Sequence, residues 1–397
     1  MAVLLISPSR VSLTQSPPVG LGYIASSLRR AGHEVRLADY SLRRFDGEKL
    51  AREMERAGIT VAGVTSVTPS FPGAVEVVRA IKKRAGDVKT VIGGIHVTAL
   101  PARSLEESSA DFAVVGEGEI SFTELVNRLA AGRPVDSIAG VYAGKGDAGR
   151  AELVSDIDSL PVPAWDLIPP SRYSAVPWQL LKKGRIVAPI STSRGCPFCA
   201  AATVSGRRVR SRRPEFVIDE MKMLVRDYRV DEFHINDDTL NFSRDHLRGF
   251  CSALIDSGLG VPWKTPNGVR IDMLDSELVR LMKRAGCYEL GFGIETAGAD
   301  AQKKIGKNLE PGKCREVIDM VRNEGIRAYG FFIFGLPGDT AESIEKTISF
   351  AVDSRLDLAH FSLAVPYPGS KLYCDNEKLL RHIPWEYFYH FNPFPNP

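Results

Sequence analysis

The chain has 397 residues, of which 44% are hydrophobic and 25% charged, and its formal net charge is +3. This length allows two domains with substantial cores, and the composition is that of a globular protein rather than a disordered or fibrous one. The mildly basic balance does not indicate nucleic acid as the main partner, and no apolar run reaches the length that spans a bilayer. Because Met1–Ser7 also lacks the basic start and cleavage site of a signal peptide, we expect a cytoplasmic protein.

The first third of the chain alternates short β-branched strands with amphipathic helices, which predicts a parallel sheet covered on both faces. Strands are predicted at residues 3–6, 34–38, 61–66, 90–92 and 112–115, and helices at 20–31, 73–84 and 120–131. This pattern indicates an α/β fold with a doubly wound, Rossmann-like parallel sheet. A ligand of such a domain binds at the carboxyl ends of the strands.

Small and polar residues follow these predicted strands, where they would let a ligand approach the backbone and would offer amide and hydroxyl donors. No G-x-G-x-x-G follows the first strand, so a dinucleotide is not expected. The candidate ligand-binding residues are Ser7, Pro18, Gly20, Ser66, Thr68, Gly93, Gly94, His96, Gly116, Glu117 and Gly118.

Residues 133–185 are predicted to link two halves of the chain, with Val141-Tyr142 in a small hairpin and a proline-rich strap at residues 160–166. A second βα series follows. Its strands are predicted at residues 186–191, 232–236, 263–269, 289–295, 327–334 and 357–364, and its helices at 214–228, 244–257, 276–285, 313–324 and 341–354. Six βα units predict a partial (βα)6 barrel with its functional groups at the carboxyl ends of the strands. The predicted divisions are 1–132, 133–185, 186–375 and a short tail at 376–397.

Two thiols three positions apart, Cys196 and Cys199, follow the first strand of this second series, and such a pair in a reducing compartment often binds a soft metal. The other cysteines are scattered, and we expect Cys251, Cys287 and Cys314 to be buried thiols. A zinc or dithiol site is a weaker alternative, because structural zinc usually takes four ligands.

The stretch from Ser191 to Cys199, together with Asp237-Asp238-Thr239, Gly293-Ile294-Glu295 and Pro366-Tyr367-Pro368-Gly369, resembles the cobalamin-binding radical S-adenosylmethionine (radical SAM) family. The resemblance covers nearly the whole chain. It implies cobalamin in the first domain, and S-adenosylmethionine with a 4Fe-4S cluster in the second. The family holds its cluster with C-x-x-x-C-x-x-C, whereas the corresponding stretch of this chain has two cysteines, and the simplest alignment makes Cys196 the first ligand and Cys199 the third. Three thiolates are the usual minimum for such a cluster.

The same resemblance assigns an S-adenosylmethionine site to the barrel strand ends. Asp237 and Asp238 would bind the cofactor's amino group, although a helix cap or turn is an equal alternative for this pair. Glu295 would hold ribose hydroxyls or an ammonium, and Arg270 would pair with the carboxylate. The loops at Gly335 and Pro368 would turn backbone toward the adenine.

Histidine ligation of cobalamin is not expected, because the chain lacks the D-x-H-x-x-G motif of the best-known cobalamin domains. His33 is predicted to be a loop residue, whereas His96 follows two glycines at the expected ligand crevice. The resemblance therefore implies base-off cobalamin without a histidine ligand.

These observations predict a radical SAM enzyme that cleaves S-adenosylmethionine reductively and modifies, by methylation, an unidentified small-molecule substrate. An external electron donor such as flavodoxin or ferredoxin would supply the electron. One alternative is a catalytically inactive relative that binds cobalamin or S-adenosylmethionine and has lost its cluster, and another is a degraded or misread gene.

The basic run 206–214 lacks stacking aromatics, so we expect it to neutralise cofactor groups rather than bind nucleic acid. The tail at 382–397 is expected to cap the barrel mouth.

Overall fold

A computed structural model describes residues 1–9, 15–144, 149, 151–173, 182–196 and 202–389. The chain divides into two compact units. The first unit comprises Met1–Leu180, Gly195–Arg208 and Pro366–Pro397, and the second comprises Leu181–Arg194 and Val209–Val365.

The first unit is built on a six-stranded sheet in the order β2-β1-β3-β4-β5-β6. The first five strands run parallel, and β6 pairs antiparallel with β5. The strands are β1 (Ala2–Ser7), β2 (Glu34–Asp39), β3 (Val61–Thr65), β4 (Lys89–Gly93), β5 (Phe112–Val114) and β6 (Val141–Tyr142). The helices are α1 (Val19–Arg30), α2 (Gly47–Arg56), α3 (Phe71–Arg84), α4 (Ile95–Ala99), α5 (Pro101–Ser108) and α6 (Gly118–Ala130).

Both faces of this sheet are covered, as near-continuous apolar strands require. The residues Leu21 and Leu28 of α1 and Leu125 of α6 pack with Val3 and Leu5 of β1 in one buried cluster. Apolar residues of α3 are also buried. The predicted doubly wound sheet is therefore confirmed.

Local details of the first unit differ from the sequence-based expectation. The pair Val141-Tyr142 was predicted in a small hairpin, which is wrong. It instead forms the edge strand β6 beside β5, and the whole of α6 lies between these two strands in the chain. Helices α2, α4 and α5 were not predicted, and α4 with α5 fills the connection directly after Gly93-Gly94.

The second unit holds a six-stranded, fully parallel sheet in the order β14-β13-β12-β11-β10-β7. Its strands are β7 (Val187–Ile190), β10 (Glu232–Ile235), β11 (Trp263–Val269), β12 (Cys287–Glu295), β13 (Arg327–Phe334) and β14 (Leu358–Leu363). A two-stranded ladder joins β8 (Ser193–Arg194) to β9 (Arg210–Ser211). The helices are α8 (Pro214–Tyr228), α9 (Arg244–Asp256), α10 (Ser276–Arg284), α11 (Ala299–Lys304), α12 (Pro311–Asn323) and α13 (Ala341–Asp353).

All six predicted barrel strands are present, and the two end strands β7 and β14 do not pair with each other, as a partial barrel requires. The helical face of this sheet carries a buried aromatic core. The indole of Trp263 packs edge-on against Phe250 of α9 and donates to the Ala285 carbonyl at 2.8 Å. On β13, Phe332 packs against Phe350 of α13.

Two later helices, α7 (Ala202–Ser205) and α14 (Lys371–Leu380), belong to the first unit. The segment predicted as a linker contributes β6 and the buried Trp165 and Ile168 to that unit. The domain boundaries derived from the sequence stay a prediction. Within the described part of the chain, no helix combines the length and the apolar character needed to cross a membrane.

Candidate functional site

The carboxyl ends of β3, β4 and β5 form one edge of the first sheet. Backbone groups approach closely there and are joined by hydrogen bonds. Gly94 has a φ of 101°, and a Cβ on it would lie 2.3 Å from the Ser66 carbonyl oxygen, so only glycine fits. The Thr98 hydroxyl donates to the Gly94 carbonyl and accepts from the Gly116 amide, each at 2.9 Å. Thr98, which was not among the predicted site residues, thus joins the end of β4 to the end of β5.

His96 lies at this edge inside an aromatic cluster. Its ring is 1% exposed, lies 4.1 Å from the ring of Phe71 and 4.6 Å from that of Trp385, and places Nδ1 3.3 Å from the Thr68 hydroxyl. Nε2 is buried and has no hydrogen-bond partner among the described residues. Burial and the nearby Arg103 lower the pKa of His96 to about 3, so the imidazole is neutral.

The remaining predicted residues of this edge differ in how far they are buried. Ser7, Pro18, Ser66 and Thr68 are buried, whereas Gly20 is exposed. The Glu117 carboxylate accepts from the Val154 amide at 3.0 Å, and so holds the chain segment that follows β6. Gly93, Gly116 and Gly118 are partly exposed.

Cys196 lies on a tight turn that depends on the preceding glycine. Gly195 has a φ of 103°, and a Cβ there would lie 2.4 Å from the Arg208 carbonyl oxygen. The Cys196 amide donates to the Gly206 carbonyl at 3.2 Å, and its side chain is buried. Cys199 lies outside the described residues. Among those that are described, no three His, Cys, Asp or Glu side chains are arranged to hold a metal ion.

Three cysteines outside the motif, Cys251, Cys287 and Cys314, are buried as predicted. Burial raises the pKa of Cys251 to about 12 and that of Cys314 to about 11, and raises the pKa of Cys287 strongly. These thiols therefore stay protonated at neutral pH and are poor metal ligands. Cys374 is exposed on α14.

Asp237 is fully enclosed by donors from the strand that leads toward Cys196. Its carboxylate accepts from the Thr192 amide at 2.6 Å, the Thr192 hydroxyl at 2.5 Å and the Ser193 hydroxyl at 2.8 Å. The Thr192 hydroxyl lies 2.8 Å from Nε2 of His246. Burial, only partly opposed by these bonds, raises the pKa of Asp237 to about 6. The predicted pair is thus split, because Asp237 is buried whereas Asp238 is partly exposed.

Glu295 has an unusual backbone conformation at the end of β12. Its φ of 66° lies in the left-handed region, which non-glycine residues seldom occupy, and the β12–β13 register shifts at this point. Lys307 donates from Nζ to Glu295 Oε1 at 2.6 Å and to the Gly293 carbonyl at 2.8 Å. A Cβ on Gly293 would lie 2.8 Å from both charged groups, so this glycine makes room for the pair.

The other predicted residues of this site have different surroundings. The Arg270 guanidinium binds both oxygens of Asp272, at 3.0 and 2.5 Å, and its backbone is held by Asn241. Gly335 follows β13 with a φ of 80° and open space where a Cβ would be. Pro368 belongs to the first unit, whereas Gly335 belongs to the second.

The basic run 206–214 contains a structural arginine. Arg212 forms a buried ion pair with Glu220 at 2.7 Å and donates to the Ser191 carbonyl at 3.0 Å. A buried and paired arginine of this kind is not available to contact phosphates, because removing either partner would leave an uncompensated buried charge.

Comparison with known proteins identifies the two halves of the chain. Residues 10–126 match the B12 binding domain, and residues 192–351 match the Radical SAM superfamily. An uncharacterised methyltransferase of Pyrococcus horikoshii is 31% identical over 99% of this chain and 87% of its own length. The chain belongs to the cobalamin-binding radical SAM family.

Two further relatives bear on the family's chemistry and fold. The cytidylyl-2-hydroxyethylphosphonate methyltransferase of Streptomyces wedmorensis is 28% identical over 93% of this chain and 80% of that protein. The fold matches the radical S-adenosylmethionine methyltransferase TsrM from Kitasatospora setae, whose structure has cobalamin and a 4Fe-4S cluster bound. That match has a TM-score of 0.78 at 19% identity and covers 96% of this chain and 75% of TsrM. Membership of this family supports the enzyme over the inactive relative.

The family's cofactors can be tested against the residues present. The first-unit edge fits cobalamin, since Gly94 lets backbone groups approach one another closely at the strand ends. The end of β12 fits S-adenosylmethionine, because Glu295 offers a carboxylate and Gly335 leaves open space. The cluster fits only in part: the motif supplies two thiols, Cys196 and Cys199, where three are usual.

Proposed function

We propose that this protein is a cobalamin-dependent radical SAM methyltransferase that acts on a small molecule. The observation that carries this proposal is the left-handed conformation of Glu295, held by Lys307 at the carboxyl end of a barrel strand. Strain at such a position costs about 1 to 3 kcal/mol, and positions of this kind cluster at active sites and ligand-binding sites. The enzyme would work in the cytoplasm with an external electron donor such as flavodoxin or ferredoxin.

When bound, the cofactors supply a transferable methyl group and the radical chemistry of the family. The protein's part is to bind and orient them. Glu295 would accept hydrogen bonds from ribose hydroxyls or an ammonium, and the backbone at Gly335 would lie against the adenine. Ser66, Gly94 and Gly116 would offer the close backbone approach that cobalamin requires. The motif has two cysteines where a 4Fe-4S cluster usually needs three, so the cluster is given no part in the mechanism proposed here.

Asp237 has a supporting role in this proposal. Its hydrogen bonds to Thr192 and Ser193 fix the strand end from which the chain continues to Cys196. Asp238, which is partly exposed, remains the carboxylate proposed to bind the amino group of S-adenosylmethionine.

The deciding experiment measures iron, sulfide and corrinoid content after anaerobic reconstitution, with electron paramagnetic resonance before and after S-adenosylmethionine is added. We expect corrinoid together with an iron–sulfur signal that S-adenosylmethionine perturbs. The variant Cys196→Ala should lose the iron, whereas Cys374→Ala, which removes an exposed thiol, should retain it. Corrinoid without iron would instead indicate a cofactor-binding protein that is not an enzyme of this kind.

A further inference from the structure

The side of the barrel sheet that faces away from the helices is arranged in layers across neighbouring strands. On β13, Phe332 packs on the helical side, so Tyr329 and Phe331 point to the opposite side, which is the lumen of a barrel. The strand register places Phe331 beside Gly293 of β12 and beside His360 of β14. These residues therefore form one layer across three strands.

A charged layer closes the lumen toward the amino ends of the strands. Register pairs His234 with Lys264, Lys264 with Glu289, and Glu289 with Arg327. Lys264 Nζ lies 3.3 Å from Glu289 Oε1, and both side chains are buried. An apolar group that displaced this buried pair would leave its charges without partners, which is strongly unfavourable. We therefore expect a substrate group that enters the lumen to stop above this layer.

Glycines clear the space above the charged layer for the ring of Phe331. A Cβ on Gly291 would lie 2.8 Å from that ring, and one on Gly268 would lie 3.5 Å from it. The ring centroid of Tyr329 is 4.6 Å from that of Phe331, and the His360 ring lies 6.4 Å from each. Three aromatic rings thus line one wall of the lumen.

These rings are open to solvent, unlike the core aromatics. Phe331, Tyr329 and His360 are all partly exposed, whereas the adjacent Phe332 is fully buried at 0%. Ligand pockets are lined predominantly by apolar and aromatic side chains, so partly exposed rings on the lumen side of the sheet are candidates for ligand contact. The layer also lies two residues before Glu295 on β12, directly below the proposed S-adenosylmethionine site.

From this arrangement we propose that the lumen face of β13 and β14 is the substrate-recognition surface, and that the substrate presents a flat, unsaturated group to Phe331. This inference rests on the proposed function and adds the substrate class. Phe331 and His360 are then specificity-determining residues. Aromatic pairs gain about 0.5 to 1.5 kcal/mol beyond area burial, which a saturated group of the same shape does not recover.

The test compares 2-naphthol with decahydro-2-naphthol, which share a skeleton but differ in planarity, as ligands of the full-length protein in ligand-observed NMR titrations. We expect the wild type to bind 2-naphthol roughly fivefold more tightly, and the variant Phe331→Leu to lose that preference. Phe332→Leu, the same change on the helical side, should keep it. His360→Leu, at the partly exposed edge of the layer, should reduce it and serves if Phe331→Leu does not fold.

Equal binding of the two probes by the wild type, or the same loss in Phe332→Leu, would overturn the inference. Corrinoid, iron and S-adenosylmethionine turnover are measured in the same preparation. Cofactor loading and turnover without a preference for the planar probe would reject the substrate class and leave the proposed function standing. A preference for the planar probe in protein that binds no cofactor would reject the proposed function and leave the recognition surface standing.

Discussion

Lys307 and Glu295 form a partly buried ion pair, with 2.6 Å between Nζ and Oε1, at the carboxyl end of β12. The ammonium also bonds the Gly293 carbonyl, so one side chain holds both the strand end and the carboxylate. Lys307 lies beyond the end of α11, twelve residues after Glu295. The pair therefore couples the loop after α11 to the position where we place S-adenosylmethionine.

Replacing Lys307 with methionine should weaken binding of S-adenosylmethionine by about tenfold, because a partly buried carboxylate without its partner no longer stays in one orientation. Isothermal titration calorimetry under anaerobic conditions measures the dissociation constant. Lys303→Met, an exposed lysine on α11, is the matched control and should bind like the wild type. Unchanged or tighter binding by the Lys307 variant would show that Lys307 does not position Glu295 for the cofactor.

Asp237→Ala should destabilise the protein by about 2 to 3 kcal/mol, since it leaves several donors without their acceptor in a buried site. It should also lower the iron retained after reconstitution, because Thr192 and Ser193 precede Cys196 by only a few residues. Asp238→Ala should retain iron but bind S-adenosylmethionine less tightly. Urea unfolding, iron assay and calorimetry on both variants measure these effects. Equal iron content in the two variants would contradict the positioning role of Asp237.

Strand positions were predictable because buried parallel strands leave apolar runs bounded by glycine and turn residues. The position of Glu295 at a strand end followed from the same reasoning. Lys307 could not be predicted, because its role depends on a contact between a strand end and a loop beyond the following helix. The different roles of Asp237 and Asp238 could not be predicted either. Only the fold shows that the Asp237 carboxylate accepts hydrogen bonds from Thr192 and Ser193.

His96 should make stability depend on pH. Its pKa in the folded state, about 3, lies below the ordinary 6.5, so the unfolded chain binds a proton more readily. The stability is therefore fully present above about pH 6.5 and is lost progressively as the pH falls from there toward about 3. Between pH 7.5 and pH 5.0 the loss should be about 2 kcal/mol. Urea unfolding at both pH values measures it, and His96→Phe should show a correspondingly smaller change with pH.

Trp385 encloses His96 and anchors the tail segment to the first unit. Its indole donates to Glu107 at 2.9 Å, and the Arg103 guanidinium lies 4.3 Å from the ring centroid. Trp385→Ala should cost about 3 kcal/mol in the free energy of unfolding, because it leaves a large cavity beside His96. Trp385→Phe keeps a ring but loses the hydrogen bond, so its cost should be about 1 kcal/mol.

The substitution of Trp385 should also change the pH dependence of stability that His96 causes. Once Trp385 is alanine, water can reach the His96 ring, so the pKa of His96 should rise toward its ordinary value and the stability lost between pH 7.5 and pH 5.0 should shrink. Tyr387→Ala, in the same turn but 43% exposed, is the matched control and should leave the pH dependence intact. If Trp385→Ala kept the full pH dependence, burial by Trp385 could not be the cause of the lowered pKa.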